Sequence, residues 1–268
     1  MQRRDGAGGS AAEAAPAGLH PDARIAPSTP LGDEVVARLV AAFESAADPA
    51  RAAPMVAYMK GRFPFLGIGS GPRRSLAKAA LAGLPAPDET DVAAVTAACW
   101  ALDAREYQYA GADYAVRWVR VCTPSFLAVA ERLIGEKAWW DTVDVLAAHV
   151  VGPLVAATPA LRADMDRWLV SDDLWLARSA ILHQLFWKER TDADWLFAAC
   201  LARAADTDFF LRKAVGWALR QYSKTDEAAV RTFVAEHDAE LSGLSKREAL
   251  KWLDRRAARA AVGEGTAA

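Results

Sequence analysis

Cysteine and histidine are scarce in this chain: three and four among 268 residues. Cys99, Cys122 and Cys200 lie singly within apolar stretches, so no paired spacing points to a zinc site or a disulfide framework. The pattern predicts a protein of a reducing compartment, the cytoplasm. His20, His149, His183 and His237 show no ligand spacing, which weighs against a metal-dependent hydrolase and predicts no metal and no other cofactor. Long apolar runs are lacking too. No stretch of about 18 residues escapes a charge or a proline, so no membrane span is expected, and the N-terminus lacks the apolar segment of a secretory signal. Alternating strand-like patterns are hard to find. Net charge is small, −2 from 32 basic and 34 acidic residues, so the chain is no bulk polycation and nucleic-acid binding would need local asymmetry.

Helical periodicity is what the chain does have. Residues 1–30 are rich in Ala, Gly, Pro and Ser and are predicted to be a disordered extension. From Asp33 onward apolar residues recur at intervals of three and four, predicting roughly a dozen helices and no sheet. One globular domain is expected over residues 31–258, followed by a flexible tail, 259–268. The segments WDTVDVLAAHVV, WLARSAILHQLF and FLRKAVGWALRQ begin at Trp140, Trp175 and Phe210, spaced 35 residues apart. Such a period in helical sequence means stacked helix pairs, because one pair cannot bury its own apolar face. The predicted fold is all-α, a single curved α-solenoid with a concave groove.

Three regions carry candidate chemistry. In Trp139-Trp140-Asp141-Thr142-Val143-Asp144, Trp140 and Asp144 share a helical face, while Trp139 continues a core-facing stripe with Val143, Leu146 and Val150. In the helix from about Asp208, a packing stripe of Leu211, Val215, Ala218 and Tyr222 leaves Lys213, Trp217, Arg220 and Lys224 together on the other face. Two readings stand for that face: Trp217 packs on the next repeat among solvated charges, or it is an aromatic contact in a phosphate-binding surface. Arg178 lies among leucines one repeat earlier, either in an internal ion pair or reaching a phosphate from the groove. Between Asp48 and Asp88 no acidic residue occurs, yet Arg51, Lys60, Arg62, Arg73, Arg74 and Lys78 do. The glycines of this window match neither a Walker loop nor a dinucleotide fingerprint. Ser70 is read as a helix cap, and Ser245-Lys246-Arg247-Glu248 as a capping box with two cations in its first turn.

Several collinear motifs together resemble the AlkD-like DNA alkylation repair glycosylases, built of HEAT-like helical repeats. They are YMKGRFPFLGI at 58–68, PRR at 72–74, WWDTVD at 139–144, SDDLWLARSAILHQL at 171–185, GWALRQYSKT at 216–225 and LSKREAL at 244–250. At 69–74, Gly-Ser-Gly-Pro-Arg-Arg departs from the family's more usual Ser/Thr-Pro start. The resemblance implies excision of N3- or N7-alkylated purines in base excision repair. Asp144 would be the catalytic carboxylate and Trp140 and Trp217 would contact the lesion nucleotide. Tyr58, Lys60, Arg73, Arg74, Arg178, Lys213, Arg220, Lys246 and Arg247 would bind double-stranded DNA. It implies action without a base-binding pocket, and the enzyme is expected to work as a monomer. The alternative is a non-catalytic helical-repeat scaffold for DNA structures or a protein partner.

Overall fold

The computed structural model describes residues 28–265, and among them every regular element is helical. The helices are α1 (Pro30–Glu44), α2 (Pro49–Tyr58), α3 (Ser70–Ala80), α4 (Glu89–Ala101), α5 (Arg105–Trp118), α6 (Phe126–Gly135) and α7 (Trp140–Leu146). They continue with α8 (Gly152–Ala157), α9 (Arg162–Leu169), α10 (Leu174–Leu182), α11 (Ala193–Ala202), α12 (Phe209–Tyr222), α13 (Glu227–Glu236) and α14 (Gly243–Gly265). Most of the extension expected to be disordered, residues 1–27, lies outside the described residues, while Thr29 caps α1 and Pro30 opens it. The C-terminal boundary expected at 258 falls inside α14, which runs on to Gly265. The chain has no reason to stop there, since no glycine or proline intervenes before Gly263.

The period of the sequence is the period of the fold. Asp173 caps α10 by accepting from Trp175 and Leu176 backbone N–H groups, and Asp208 caps α12 from Phe210 and Leu211. The corresponding cap of α7 is Trp139, which has no side-chain acceptor to offer. Helix α10 packs between α7 and α12, and α12 packs along α14. Of the expected stripe, Leu211, Val215 and Ala218 are buried as the spacing requires, while Tyr222 is only partly buried. Each such side chain contributes about 1.5–3 kcal/mol when fully removed from water. Helices α12 and α14 approach so closely at Gly216 that a Cβ there would lie 2.7 Å from the Ser245 carbonyl oxygen, so only glycine fits.

Asp144 is followed within three residues by a π-helical turn, Ala147–Val151, which joins α7 to α8. Pro153 explains the turn: it lacks an N–H, and in an α-helix its ring would strike the carbonyl of His149. The run Trp140–Ala157 is by length and composition apolar enough to cross a membrane, but 56% of it is buried in the helix stack. The two aspartates within it are engaged by arginines of α5 and α10.

Candidate active site and DNA interface

The arrangement is built outward from Asp144. One turn into α7, its side chain is 12% exposed and faces α10, where Arg178 answers it with a forked contact. Arg178 Nε donates to Oδ1 at 2.7 Å, and Nη2 donates to Oδ2 at 2.9 Å. The third nitrogen, Nη1, donates to the Phe210 carbonyl oxygen at 2.5 Å, tying α12 to the same guanidinium. Arg178 is only 4% exposed. The structure therefore corrects its placement on the DNA surface: it orients the carboxylate from inside the protein, the internal pair that its apolar neighbours allowed. A carboxylate held by one fork keeps its remaining lone pairs for a ligand or water.

Burial pushes the Asp144 carboxyl above the usual aspartate range, and the Arg178 hydrogen bonds and charge only partly counter that push. In the folded state the proton is thus held more tightly than in the unfolded chain. The stability this group contributes is present below its ordinary pKa and is lost as pH rises through the raised one, so ionised Asp144 costs stability at neutral pH. Its ionised form is the one a cation needs. The acid limb of catalysis is expected to lie above the ordinary aspartate titration, checked by single-turnover rates across acid to neutral pH; a limb at or below that range would contradict the burial argument.

The paired tryptophans divide differently from expectation. Trp139 is partly buried rather than in the core. Its ring meets Trp175 at 5.6 Å and Phe210 at 5.0 Å, and the Arg62 guanidinium covers it at 4.0 Å. The rings that converge across the repeats are therefore Trp139, Trp175 and Phe210, one position off the 35-residue series begun at Trp140. Trp140, on the Asp144 face, meets Tyr58 edge-on at 6.4 Å. Tyr58 is 68% exposed at the end of α2. Trp217 is half-buried on α12 against the core cluster, and its indole pairs with no aromatic ring among the described residues.

Two residues that the sequence reading passed over fix this side of the groove. Glu106, fully buried, accepts from the backbone N–H groups of Leu66, Gly67 and Ile68 at 3.0, 2.9 and 3.0 Å. It holds the loop after Tyr58 in a shape that only glycine at 67 permits, with φ +92° and a would-be Cβ 2.1 Å from the Asp48 carbonyl oxygen. Arg105, also fully buried, grips Asp141 with Nε and Nη2, donates to the Lys137 carbonyl and lies 3.9 Å over the Phe63 ring. A signal existed: adjacent opposite charges open the helix, and an arginine there opposes the helix dipole unless an anion pairs with it. Glu106→Gln replaces one accepting oxygen with a donor and leaves a buried N–H unpaired, at about 1–3 kcal/mol. Thermal unfolding should register that as a loss of about 2–4 °C per kcal/mol; an unchanged melting temperature would show that the loop holds itself.

The basic residues separate into exposed and engaged. Lys60, Arg74 and Arg247 are exposed and form no ion pair among the described residues. Arg73 is 5% exposed, bound to Asp113 at 3.0 Å and stacked 5.1 Å over Tyr109, so it is no free surface cation; burial foremost draws its pKa down. Lys213, at 2.9 Å, and Arg220 both reach Glu248 of α14. Burial pushes the Glu248 carboxyl up, but hydrogen bonds and charge from Lys213 and Arg220 outweigh it and hold the group at about 2. The basic face of α12 is thus largely committed to α14, and Lys224 bonds Gln221. Lys246 is held by Asp238. The expected capping box fails for the same reason: Glu248 turns to α12, Ser245 Oγ donates to the Arg212 carbonyl, and Ser242 Oγ accepts from the Ser245 N–H. Helix α3 likewise is capped at Gly69, with Ser70 already its first residue.

Beside Trp140, lined also by Asp141 and Val145 of α7, lies a largely apolar cleft of about 680 Å³, where no pocket was expected from sequence. Among the described residues no cluster of three or more potential metal ligands occurs.

The family model described as DNA alkylation repair enzyme matches residues 39–253. A solved structure described as a predicted DNA alkylation repair enzyme from Enterococcus faecalis is similar at 33% identity and TM-score 0.70, covering 77% of this chain and 96% of that one. No curated protein matches the chain. A match across α1 to α14, with Asp144, Trp140 and Trp217 all inside it, places the chain in the DNA alkylation repair enzyme family.

Proposed function

We propose that the protein is a DNA glycosylase that hydrolyses the bond between deoxyribose and N3- or N7-alkylated purines. The observation that carries this reading is a desolvated carboxylate, Asp144, presented beside Trp140 and held by an arginine that leaves it lone pairs to use. Alkylation at N3 or N7 makes the purine a cation, so the base departs without needing a general acid. What remains is an oxocarbenium-like sugar and an attacking water. Asp144 stabilises the first and orients the second, the task that a carboxylate performs in glycoside hydrolysis. Trp140 and Trp217 supply π faces to the positive charge, each contributing about 0.5–2 kcal/mol. Lys60, Arg74 and Arg247 face solvent and are available to phosphates, with Tyr58 at the rim.

The enzyme works as a monomer on double-stranded DNA in the cytoplasm, without a cofactor. The scaffold alternative predicts neither released base nor need for a buried carboxylate. Incubation with duplex DNA carrying 7-methylguanine, followed by chromatography for free base, separates the two: release above background is expected, and DNA binding without release would favour the scaffold. Duplex affinity should also fall steeply as salt rises.

A further inference from the structure

Resting on the reaction proposed above, we infer that the cleft behind Trp140 binds the free purine base that the reaction releases. Its volume, about 680 Å³, lies within the range of about 300–1,000 Å³ usual for small-molecule sites. Tyr58, Phe65, Tyr109 and Trp140 line it with π faces, and Val145 completes an apolar wall. Such walls suit a flat aromatic ring, while Ser70 and exposed Arg74 stand at the polar edge of the cleft.

The polar group at the cleft is as particular as the walls. Arg73 is 5% exposed, and its Nε and Nη1 are both buried without a hydrogen-bond partner, Nη1 lying 3.0 Å from Asp113 as an ion pair. A buried unpaired donor requires an explanation, and O6 of a 7-alkylguanine or N7 of a 3-alkyladenine is an acceptor that an arginine meets well. Nearby anions do not compete for Nε. Asp113 is paired with Arg73 through Nη1, and Asp141 is taken by Arg105 and the Tyr109 hydroxyl. Position supplies the last step. Trp140 belongs both to the Asp144 face of α7 and to the cleft, so a base leaving the sugar passes one indole to reach it. The consequence is product inhibition by free base in a cleft that borders the DNA-contacting surface, since exposed Arg74 belongs to both.

Equilibrium dialysis of the full chain against free 7-methylguanine tests this without DNA. Saturable binding is expected, at least tenfold weaker for cytosine and for guanosine 5′-monophosphate. Met55→Trp, which fills the cleft from its partly exposed rim, and Phe65→Ala, which removes a wall, should each weaken binding at least tenfold while circular dichroism shows the helices retained. Added 7-methylguanine should slow base release by the parent more than by either variant. Unsaturable uptake, equal binding of cytosine, tighter binding of the nucleotide, or undiminished binding by both folded variants would overturn the inference. Failure of the glycosylase reading would show instead as absence of base release from DNA, which the dialysis does not measure.

Discussion

Asp144→Asn is expected to slow single-turnover release of 7-methylguanine by about 100-fold or more while leaving duplex affinity within about twofold. The magnitude follows from what the carboxylate does: it meets positive charge that develops at the sugar only in the transition state, and removing one preorganised electrostatic partner costs about 10²–10³ in rate. Ground-state binding draws on phosphate contacts elsewhere. The substitution keeps the side chain's shape, and the asparagine carbonyl still accepts one of the two Arg178 bonds, so α7 stays attached to α10. Melting should fall moderately and by less than in the arginine variant: the amide keeps one acceptor for the fork but leaves one Arg178 N–H and its charge unanswered, while relieving the cost of an ionised buried carboxylate. Equal base release by variant and parent would remove Asp144 from the mechanism.

Arg178→Met is expected to be worse for the fold and as damaging to activity. It leaves Asp144 buried without its counter-ion and the Phe210 carbonyl without its donor. Removing one member of a buried pair costs about 3–5 kcal/mol. The two substitutions therefore differ in balance: the first loses mainly rate, with a moderate loss of stability, and the second loses both heavily. With Arg178 gone, nothing offsets burial, and the Asp144 pKa rises further. The variant should then be most stable at mildly acidic pH and lose stability as pH rises, because a raised carboxyl pKa favours the protonated folded state. Adding Asp144→Asn to Arg178→Met should restore part of the lost stability, since the uncompensated charge is gone, a non-additivity that urea unfolding of the two single variants and the double variant would measure. Independent, additive effects would mean that the pair is not the energetic unit its geometry describes.

The repeat was legible because periodicity is local: α7, α10 and α12 begin where the 35-residue spacing places them, and Leu211, Val215 and Ala218 of the α12 packing stripe are buried as its spacing requires. Trp140 and Asp144 could be put on one face for the same reason. What could not be read locally are answers that arrive from 28–40 residues away. Glu106 closes on backbone at 66–68, Arg105 on Asp141, Arg178 on Asp144 and Glu248 on Lys213 and Arg220. A Ser-x-x-Glu spacing at 245–248 looks like a cap in isolation, but the carboxylate gains more from two cations on α12 than from one backbone N–H. Arg73 shows the reverse limit: in a window without acids it read as a free cation, yet Asp113, outside the window, neutralises it.

The most direct measurement is single-turnover release of free base from two duplexes identical except that one carries cationic 7-methylguanine and the other unmodified guanine, with Asp144→Asn run beside the parent. The account predicts release by the parent from the methylated duplex alone and near-background release by the variant. Release of unmodified guanine at a similar rate, or release that survives the loss of the carboxylate, would contradict it.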